Sequence, residues 1–278
     1  MIRTRLGWSQ RWALLLGTLL VACGGTPTPP SGSTGGGTTG GTTSGSSGGA
    51  APAIRILWIG NSYTYVNDLP QLVGSLSRTA NRSPLPVNTA ILEGGQTLKG
   101  AYNRSDLAAV MARGWDVVVL QEQSTTPLTA PDTMRKYGTL LAEAARRAGA
   151  RVLLFETWPE AGAATNTPLI RAAYEALSRA TDGVLVPVGQ GWSTLATARP
   201  DLALYLEDGS HPSPTGTYLA ACIFHNLLYS RSAIGLAAQS QSVRTNRYVG
   251  APDGLTPVML DAATARIIQE IADRVTGR

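Results

Sequence analysis

Apolar residues fall into five short runs along the chain, and these runs predict the strands of a sheet. The runs consist mainly of valine, isoleucine and leucine and occupy residues 54–59, 87–92, 117–120, 152–155 and 184–188. Between them, apolar residues recur at helical spacing in segments 69–80, 98–113, 131–148 and 169–181. Continuous apolar strands that alternate with helices are typical of a parallel sheet covered on both faces, so the pattern predicts an α/β fold.

The C-terminal part of the chain predicts two further helices with a long loop between them. Ser213 followed by Pro214 is typical of a helix start, with a serine N-cap and a proline at the first helical position. Apolar residues at helical spacing predict a last helix over residues 259–275. The polar stretch 239–256, which contains glycine and proline, predicts a surface loop.

The N-terminal segment predicts an export signal followed by a tether. Residues 1–22 combine three arginines with an apolar segment, 12–21, that is too short to span a bilayer. Residues 20–23 are Leu-Val-Ala-Cys, which resembles a bacterial lipobox. The resemblance implies cleavage before Cys23 and acylation of its sulfur; an ordinary secretory signal is the alternative. Residues 23–50 are rich in glycine, serine and threonine and predict a flexible tether.

The remaining residues, 51–278, are expected to form a single domain held at a membrane of the bacterial cell envelope, facing the periplasm or the exterior. The formal net charge of the whole chain is +5, but removal of residues 1–22 leaves 20 basic against 18 acidic residues. This balance gives no electrostatic footprint for nucleic acid, so the acyl chain on Cys23 rather than charge would provide membrane attachment. The sequence does not predict an oligomeric state.

The sequence predicts neither a metal nor a nucleotide cofactor. Two histidines and two cysteines, without a Cys-x-x-Cys pair, give no convincing zinc-binding spacing. No Gly-x-Gly-x-x-Gly follows the first predicted strand, and no phosphate-loop lysine is present. We therefore expect chemistry that side chains and backbone amides perform without a cofactor.

A serine and a histidine are the leading candidates for that chemistry. Ser62 follows the first strand in a tight turn, at the edge of the sheet where open α/β folds bind ligands. His211 could serve as the base that activates it, and Asp208, three residues earlier, could orient the imidazole; Glu207 is the alternative acid. The second histidine, His225, lies in an apolar segment that predicts a partly buried helix position.

Two sequence blocks, Gly60-Asn61-Ser62 and Asp208-Gly209-Ser210-His211, resemble those of the SGNH (GDSL-type) hydrolases. The resemblance implies a three-layer α/β/α, flavodoxin-like fold with a five-stranded parallel sheet. It also implies a triad in which Ser62 is the nucleophile, His211 the base and Asp208 the orienting acid.

The same resemblance implies an oxyanion hole, in which this chain departs from the family pattern. The backbone N–H groups of Ser62 and Gly95, with Gly94 as the alternative glycine, would supply two donors. Family members usually carry Gly-x-Asn-Asp after the third strand, whereas this chain has Gln123 at the asparagine position. Glutamine offers the same side-chain amide on a longer arm, so the chain resembles a divergent branch.

Two aromatic residues near the expected site, Tyr63 and Trp158, could form walls of its pocket, and Trp158 could stack on a sugar. The sequence therefore predicts an exported serine esterase that acts on acyl esters, with O-acyl groups on carbohydrates preferred. A lipid or simple-ester hydrolase is one alternative. A non-catalytic lipoprotein that binds a glycan or another envelope component in the same cleft is the other.

Overall fold

A computed structural model describes residues 52–240 and 258–278. The predicted signal peptide, the predicted acylation site Cys23 and the predicted tether at residues 23–50 lie outside the described residues, as does most of the predicted loop at 239–256. Within the described ranges, no helix is long and apolar enough to cross a membrane.

The core of the domain is a five-stranded, all-parallel sheet with strand order β2-β1-β3-β4-β5. The strands are β1 (Ala53–Gly60), β2 (Leu85–Leu92), β3 (Val117–Leu120), β4 (Arg151–Phe155) and β5 (Val184–Val186). This is the flavodoxin-like order, in which the direction of winding reverses between β1 and β3. The carboxyl ends of these two strands therefore form the crevice in which such folds bind ligands.

Helices cover both faces of the sheet, which confirms the predicted three-layer α/β/α architecture. They are α1 (Ser62–Tyr65), α2 (Leu69–Thr79), α3 (Leu98–Tyr102), α4 (Leu107–Met111), α5 (Thr126–Thr129), α6 (Pro131–Arg147), α7 (Thr167–Thr181), α8 (Val188–Ala198), α9 (Pro214–Tyr229) and α10 (Ala262–Thr276). A 3-10 turn at Ala164–Asn166 precedes α7.

Alternate residues of each strand pack into two separate apolar clusters. Ile56 and Trp58 of β1 join the cluster formed with α2, α8, α9 and α10. Leu57 and Ile59 join the cluster formed with α3, α4, α6 and α7. Because side chains alternate across a strand, an uninterrupted apolar run is required to fill both clusters.

Three sequence predictions differ from the structure. The predicted helix at 98–113 is two short helices, α3 and α4, separated by a polar break in which Arg104 pairs with Asp106. The last predicted strand ends early at Val186, because Pro187 lacks an N–H for the ladder, and Val188 instead opens α8. The predicted loop begins in a short antiparallel strand pair, β6 (Gln239–Ser240) with β7 (Val258–Met259).

The predicted start of α9 is confirmed and fixes the chain just after His211. The Ser213 hydroxyl accepts a hydrogen bond from the N–H of Gly216 (3.1 Å) and donates one to the carbonyl of Ala203 (2.6 Å). A backbone hydrogen bond from Ser213 N to Leu204 O (2.8 Å) also ties Ser213 to the segment that precedes His211. The segment that carries His211 is thus anchored to the largely buried helix α9.

Candidate active site

Ser62 lies at the carboxyl end of β1 and is the first residue of the short helix α1. Asn61 is the N-cap of this helix, and its Oδ1 accepts a hydrogen bond from the N–H of Tyr63 (3.0 Å). The first N–H groups of a helix have no partner within the helix. Because Asn61 takes the N–H of Tyr63, the N–H of Ser62 is the first-turn donor that the cap does not use.

His211 joins Ser62 to Asp208 by two short contacts. His211 Nε2 lies 2.8 Å from Ser62 Oγ, and His211 Nδ1 lies 2.5 Å from Asp208 Oδ2. The other carboxylate oxygen of Asp208 accepts the N–H groups of Ser210 and His211, each at 2.9 Å. The structure therefore brings together the serine, the histidine and the acid over 149 residues of sequence.

The hydrogen bond from His211, followed by those from the backbone N–H groups, lowers the pKa of Asp208 to about 2. The carboxylate therefore remains ionised at neutral and mildly acidic pH. Asp208 rather than the exposed Glu207 makes the contact with Nδ1. His225, in contrast, is wholly buried in α9, and its Nε2 accepts a hydrogen bond from Arg82 (2.9 Å).

A cavity of about 380 Å³ opens above Ser62 and His211. Its walls come from the loops that follow β1, β2 and β3 and from the segment before α9. The lining residues are Asn61, Ser62, Tyr63, Tyr65, Gly94, Gly95, Gln123, Ser124, Ser210 and His211. The predicted nucleophile, base, glycine and glutamine thus face one cavity.

Gly95 and Gly94 line the cavity side by side but differ in backbone conformation. Gly95 has φ +67°, the left-handed region, so a turn demands glycine there whether or not its N–H serves catalysis. A Cβ on Gly94 would contact the hydroxyl of Tyr65 at 3.4 Å. Both glycines lie in the loop after β2, beside the cavity.

Gln123 lines the cavity with its side chain oriented by α5. Its Oε1 accepts hydrogen bonds from the N–H groups of Thr125 (2.9 Å) and Thr126 (3.1 Å), at the start of that helix. Its Nε2 donates to Ser124 Oγ (3.0 Å). An amide nitrogen carries two hydrogens, so one N–H remains for a ligand after the bond to Ser124. The role of Gln123 as an oxyanion donor stays a prediction.

A buried amide network that the sequence analysis did not identify joins the loops after β1, β2 and β3. The N–H of Asn61 donates to Gln121 Oε1 (2.9 Å), and Gln121 Nε2 donates to Asn61 Oδ1 (3.0 Å). Asn61 Nδ2 donates to the carbonyl of Gln96 (3.1 Å), and Gln96 Nε2 donates to the carbonyl of Gly60 (3.0 Å). The sequence signal was present, since each of these polar residues directly follows or closely follows an apolar strand.

Gln121 also donates to the carbonyl of Glu122 (2.5 Å), which uses the second hydrogen of its side-chain amide. Gln121 is 0% exposed, so its amide belongs to the support of the nucleophile turn. Of the two glutamines after β3, Gln123 is the one that lines the cavity.

Of the two aromatic residues predicted to form walls of the pocket, only Tyr63 lines the cavity. The Tyr63 hydroxyl lies 2.8 Å from Ser210 Oγ. Trp158 lies beneath it, 1% exposed, with Tyr63 stacked at a centroid distance of 4.6 Å and Trp192 at 4.0 Å. The prediction of Trp158 as a pocket wall and sugar platform is therefore wrong, because neighbouring rings cover it. Its indole N–H instead donates to the carbonyl of Ser210 (3.1 Å).

No group of three or more histidine, cysteine, aspartate or glutamate side chains in the described ranges is arranged to hold a metal ion.

Proteins of known structure share this fold. A protein of Slackia heliotrinireducens assigned to the SGNH hydrolases is 28% identical to this chain, covers 63% of it and 99% of its own length, and superposes with a TM-score of 0.55. This likeness and the shared fold support an SGNH/GDSL-type hydrolase family for this chain. Two further proteins of known structure show likeness in fold alone, because their sequence identities are low.

The first of these, a DUF4886 family protein from Bacteroides uniformis, is 17% identical over 81% of this chain and 95% of its own, with a TM-score of 0.58. The second, the acetyl xylan esterase AlAXEase, is 15% identical over 63% of this chain and 100% of its own, with a TM-score of 0.54. No protein-family model matches the sequence, and no curated protein matches it.

Proposed function

We propose that the protein is an exported serine esterase that hydrolyses acyl esters through Ser62, His211 and Asp208. The observation that carries this proposal is the chain of contacts from Ser62 Oγ to His211 Nε2 (2.8 Å) and from His211 Nδ1 to Asp208 Oδ2 (2.5 Å). A serine hydroxyl is a weak nucleophile unless a neighbouring base takes its proton, and this geometry provides that base.

The first half-reaction forms an acyl-enzyme. Ser62 Oγ attacks the ester carbonyl carbon while His211 Nε2 takes the hydroxyl proton, and Asp208 stabilises the resulting imidazolium. The oxyanion would be bound by the N–H groups of Ser62 and Gly95 and by the Gln123 amide. The tetrahedral intermediate then expels the alkoxide, which receives the proton from His211 and leaves as an alcohol.

The second half-reaction returns the enzyme to its starting state. Water attacks the acyl carbonyl, and His211 Nε2, which is neutral again after protonating the alkoxide, takes a proton from the water. Collapse of the second tetrahedral intermediate breaks the bond to Ser62 Oγ, which regains the proton. The products are the alcohol and the carboxylic acid, so no cofactor is required.

The cavity favours short acyl groups on a polar alcohol. Its volume of about 380 Å³ lies near the lower end of ligand pockets. Three residues that carry hydroxyls, Tyr63, Ser124 and Ser210, line it, and hydroxyls bind other hydroxyls better than they bind an alkyl chain. We therefore propose O-acyl groups on carbohydrates as the substrate class, in preference to long-chain lipid esters.

The test is labelling of the purified domain, residues 51–278, with a fluorophosphonate probe. The wild-type domain should be labelled on Ser62, and Ser62→Ala should lose both labelling and esterase turnover by several orders of magnitude. Ser124→Ala removes another hydroxyl from the same cavity and should still be labelled on Ser62. An unlabelled wild-type domain would instead favour a protein that binds glycans without cleaving them.

The substrate class is tested on that same domain with aryl esters of increasing chain length and with an acetylated polysaccharide. The acetyl ester should give the highest kcat/KM, and acetate should be released from the polysaccharide. A preference for octanoyl over acetyl esters would favour a lipid or simple-ester hydrolase instead.

A further inference from the structure

Glu122 occupies an unusual position between two of the loops that form the candidate oxyanion hole. Its side chain is 1% exposed, and its Oε1 accepts hydrogen bonds from the N–H of Leu98 (3.1 Å) and from the N–H of Gln123 (2.7 Å). Leu98 begins α3, three residues after Gly95. One carboxyl oxygen therefore joins the Gly95 loop to the backbone of Gln123.

The rest of Glu122 is held just as firmly. Its N–H donates to the hydroxyl of the buried Tyr174 (3.1 Å), and its carbonyl accepts from Gln121 Nε2 (2.5 Å). Four hydrogen bonds, two to Oε1 and two to the backbone, thus fix this residue relative to the loop after β2, its own loop after β3 and helix α7. A side chain so constrained can set the spacing between the elements that it joins.

Burying a carboxyl group in order to accept two hydrogen bonds costs free energy of folding. Among the described residues, Glu122 Oε2 has no hydrogen-bond partner. Burial raises the pKa of Glu122 to about 7, with the bonds from Gln123 and Leu98 acting in the opposite direction. A polar group that costs stability in this way is often retained for the site that it supports.

We propose that Glu122 is a positioning residue of the oxyanion hole, which holds the Gly95 loop and Gln123 at a fixed spacing through its Oε1. The inference rests on the proposed esterase function. Donors stabilise an oxyanion only when they lie within hydrogen-bond distance of the oxygen that develops charge, so a loop displacement of about 1 Å costs transition-state stabilisation.

The experiment compares Glu122→Ala with Glu122→Gln in the esterase assay, at a temperature well below the Tm of each variant. Glu122→Ala removes the shared acceptor, and we expect kcat to fall about 10- to 100-fold with KM changed less than about threefold. Glutamine keeps an oxygen at the Oε1 position, so Glu122→Gln should retain kcat within about threefold of wild type. Glu122→Asp, which is shorter by one methylene, should resemble alanine.

A double-mutant cycle with Gln123→Ala separates positioning from general stability. If Glu122 acts through Gln123, the two losses in kcat should be less than multiplicative in the double variant. A purely structural glutamate would lower the Tm of Glu122→Ala and leave the kcat of the folded protein unchanged, which would overturn the proposal. So would equal losses in Glu122→Gln and Glu122→Ala, since they would assign the role to the charge.

Failure of the inference about Glu122 can be distinguished from failure of the proposed esterase function. An inactive, unlabelled wild-type domain would remove the esterase proposal itself. An active wild type that loses labelling in Ser62→Ala, together with a fully active Glu122→Ala, would remove only the inference about Glu122. If Glu122→Ala does not fold, Glu122→Asp and Glu122→Gln carry the comparison.

Discussion

His225 is predicted to make the free energy of unfolding sensitive to acid. Its ring is wholly buried in α9, and its Nε2 accepts a hydrogen bond from Arg82 Nε (2.9 Å), so protonation at Nε2 would break that bond and face a guanidinium. Burial lowers the pKa of His225 to about 4; Arg82 acts in the same direction, whereas Asn226 and Asp273 act against it. The ring of Tyr229 packs against it at 5.3 Å.

The direction of the pH effect on the free energy of unfolding follows from proton binding in the two states. Between the folded pKa of about 4 and the unfolded value of about 6.5, the unfolded chain binds the proton and the folded protein does not, so the free energy of unfolding falls as pH falls. The full separation corresponds to about 3.4 kcal/mol, and about 2 kcal/mol of it should appear between pH 7 and pH 4.5. Glu122 and Glu156 act in the opposite sense, because burial raises each pKa to about 7 and acid therefore favours their folded forms.

The comparison must therefore be made between wild type and His225→Gln, in which the two glutamates contribute equally. Glutamine can still accept from Arg82 but does not titrate. Urea unfolding followed by circular dichroism at pH 4.5, 5.5, 6.5 and 7.5 should show the variant gaining about 2 kcal/mol relative to wild type on acidification. Parallel pH profiles for the two proteins would refute the reasoning. Histidine NMR titration, assigned with His211→Gln, gives an independent readout.

Three further predictions concern the candidate site and the N-terminus. Asp208→Asn should lower kcat by at least about 100-fold with little change in KM, because the imidazole loses its orienting carboxylate; wild-type kcat would exclude this role. Gln123→Ala should cost about 3 kcal/mol of transition-state stabilisation, measured as kcat/KM, and Gln123→Glu at least as much; unchanged turnover would make the residue structural. Cys23→Ser should release the protein into a soluble fraction or leave it unprocessed, whereas mass spectrometry of an unmodified mature cysteine would contradict the anchor.

The fold could be predicted because its signals are local. Each strand is a continuous apolar run, and the Ser213-Pro214 pair marks the start of α9 directly. The sequence pattern does not predict helix α8, because Gly189 and Gly191 weaken its helical signal, yet close packing requires glycine at position 189. A Cβ on Gly189 would overlap the carbonyl oxygen of Thr157, a contact that no local pattern reveals.

For the candidate site too, local features can be predicted from the sequence, whereas features that depend on distant residues cannot. The sequence points to Ser62, His211 and Asp208 as candidates because their spacing and turn context are visible in it. The burial of Trp158 could not be predicted from the sequence, since it depends on the rings of Tyr63 and Trp192, which are distant in the chain. No local pattern points to Glu122, because only the folded structure brings the N–H of Leu98 to its carboxyl.

The anchoring of His211 to helix α9 has a consequence for heat inactivation. His211 precedes the N-cap Ser213 by two residues, and Gly216, in the first turn, lies so close to Trp192 and to the carbonyl of Leu204 that no side chain fits. Fraying of this one turn would move the imidazole away from Ser62 while the sheet remained intact. Loss of turnover on warming should therefore precede loss of secondary structure. Activity would then report the local unfolding of the first turn of α9.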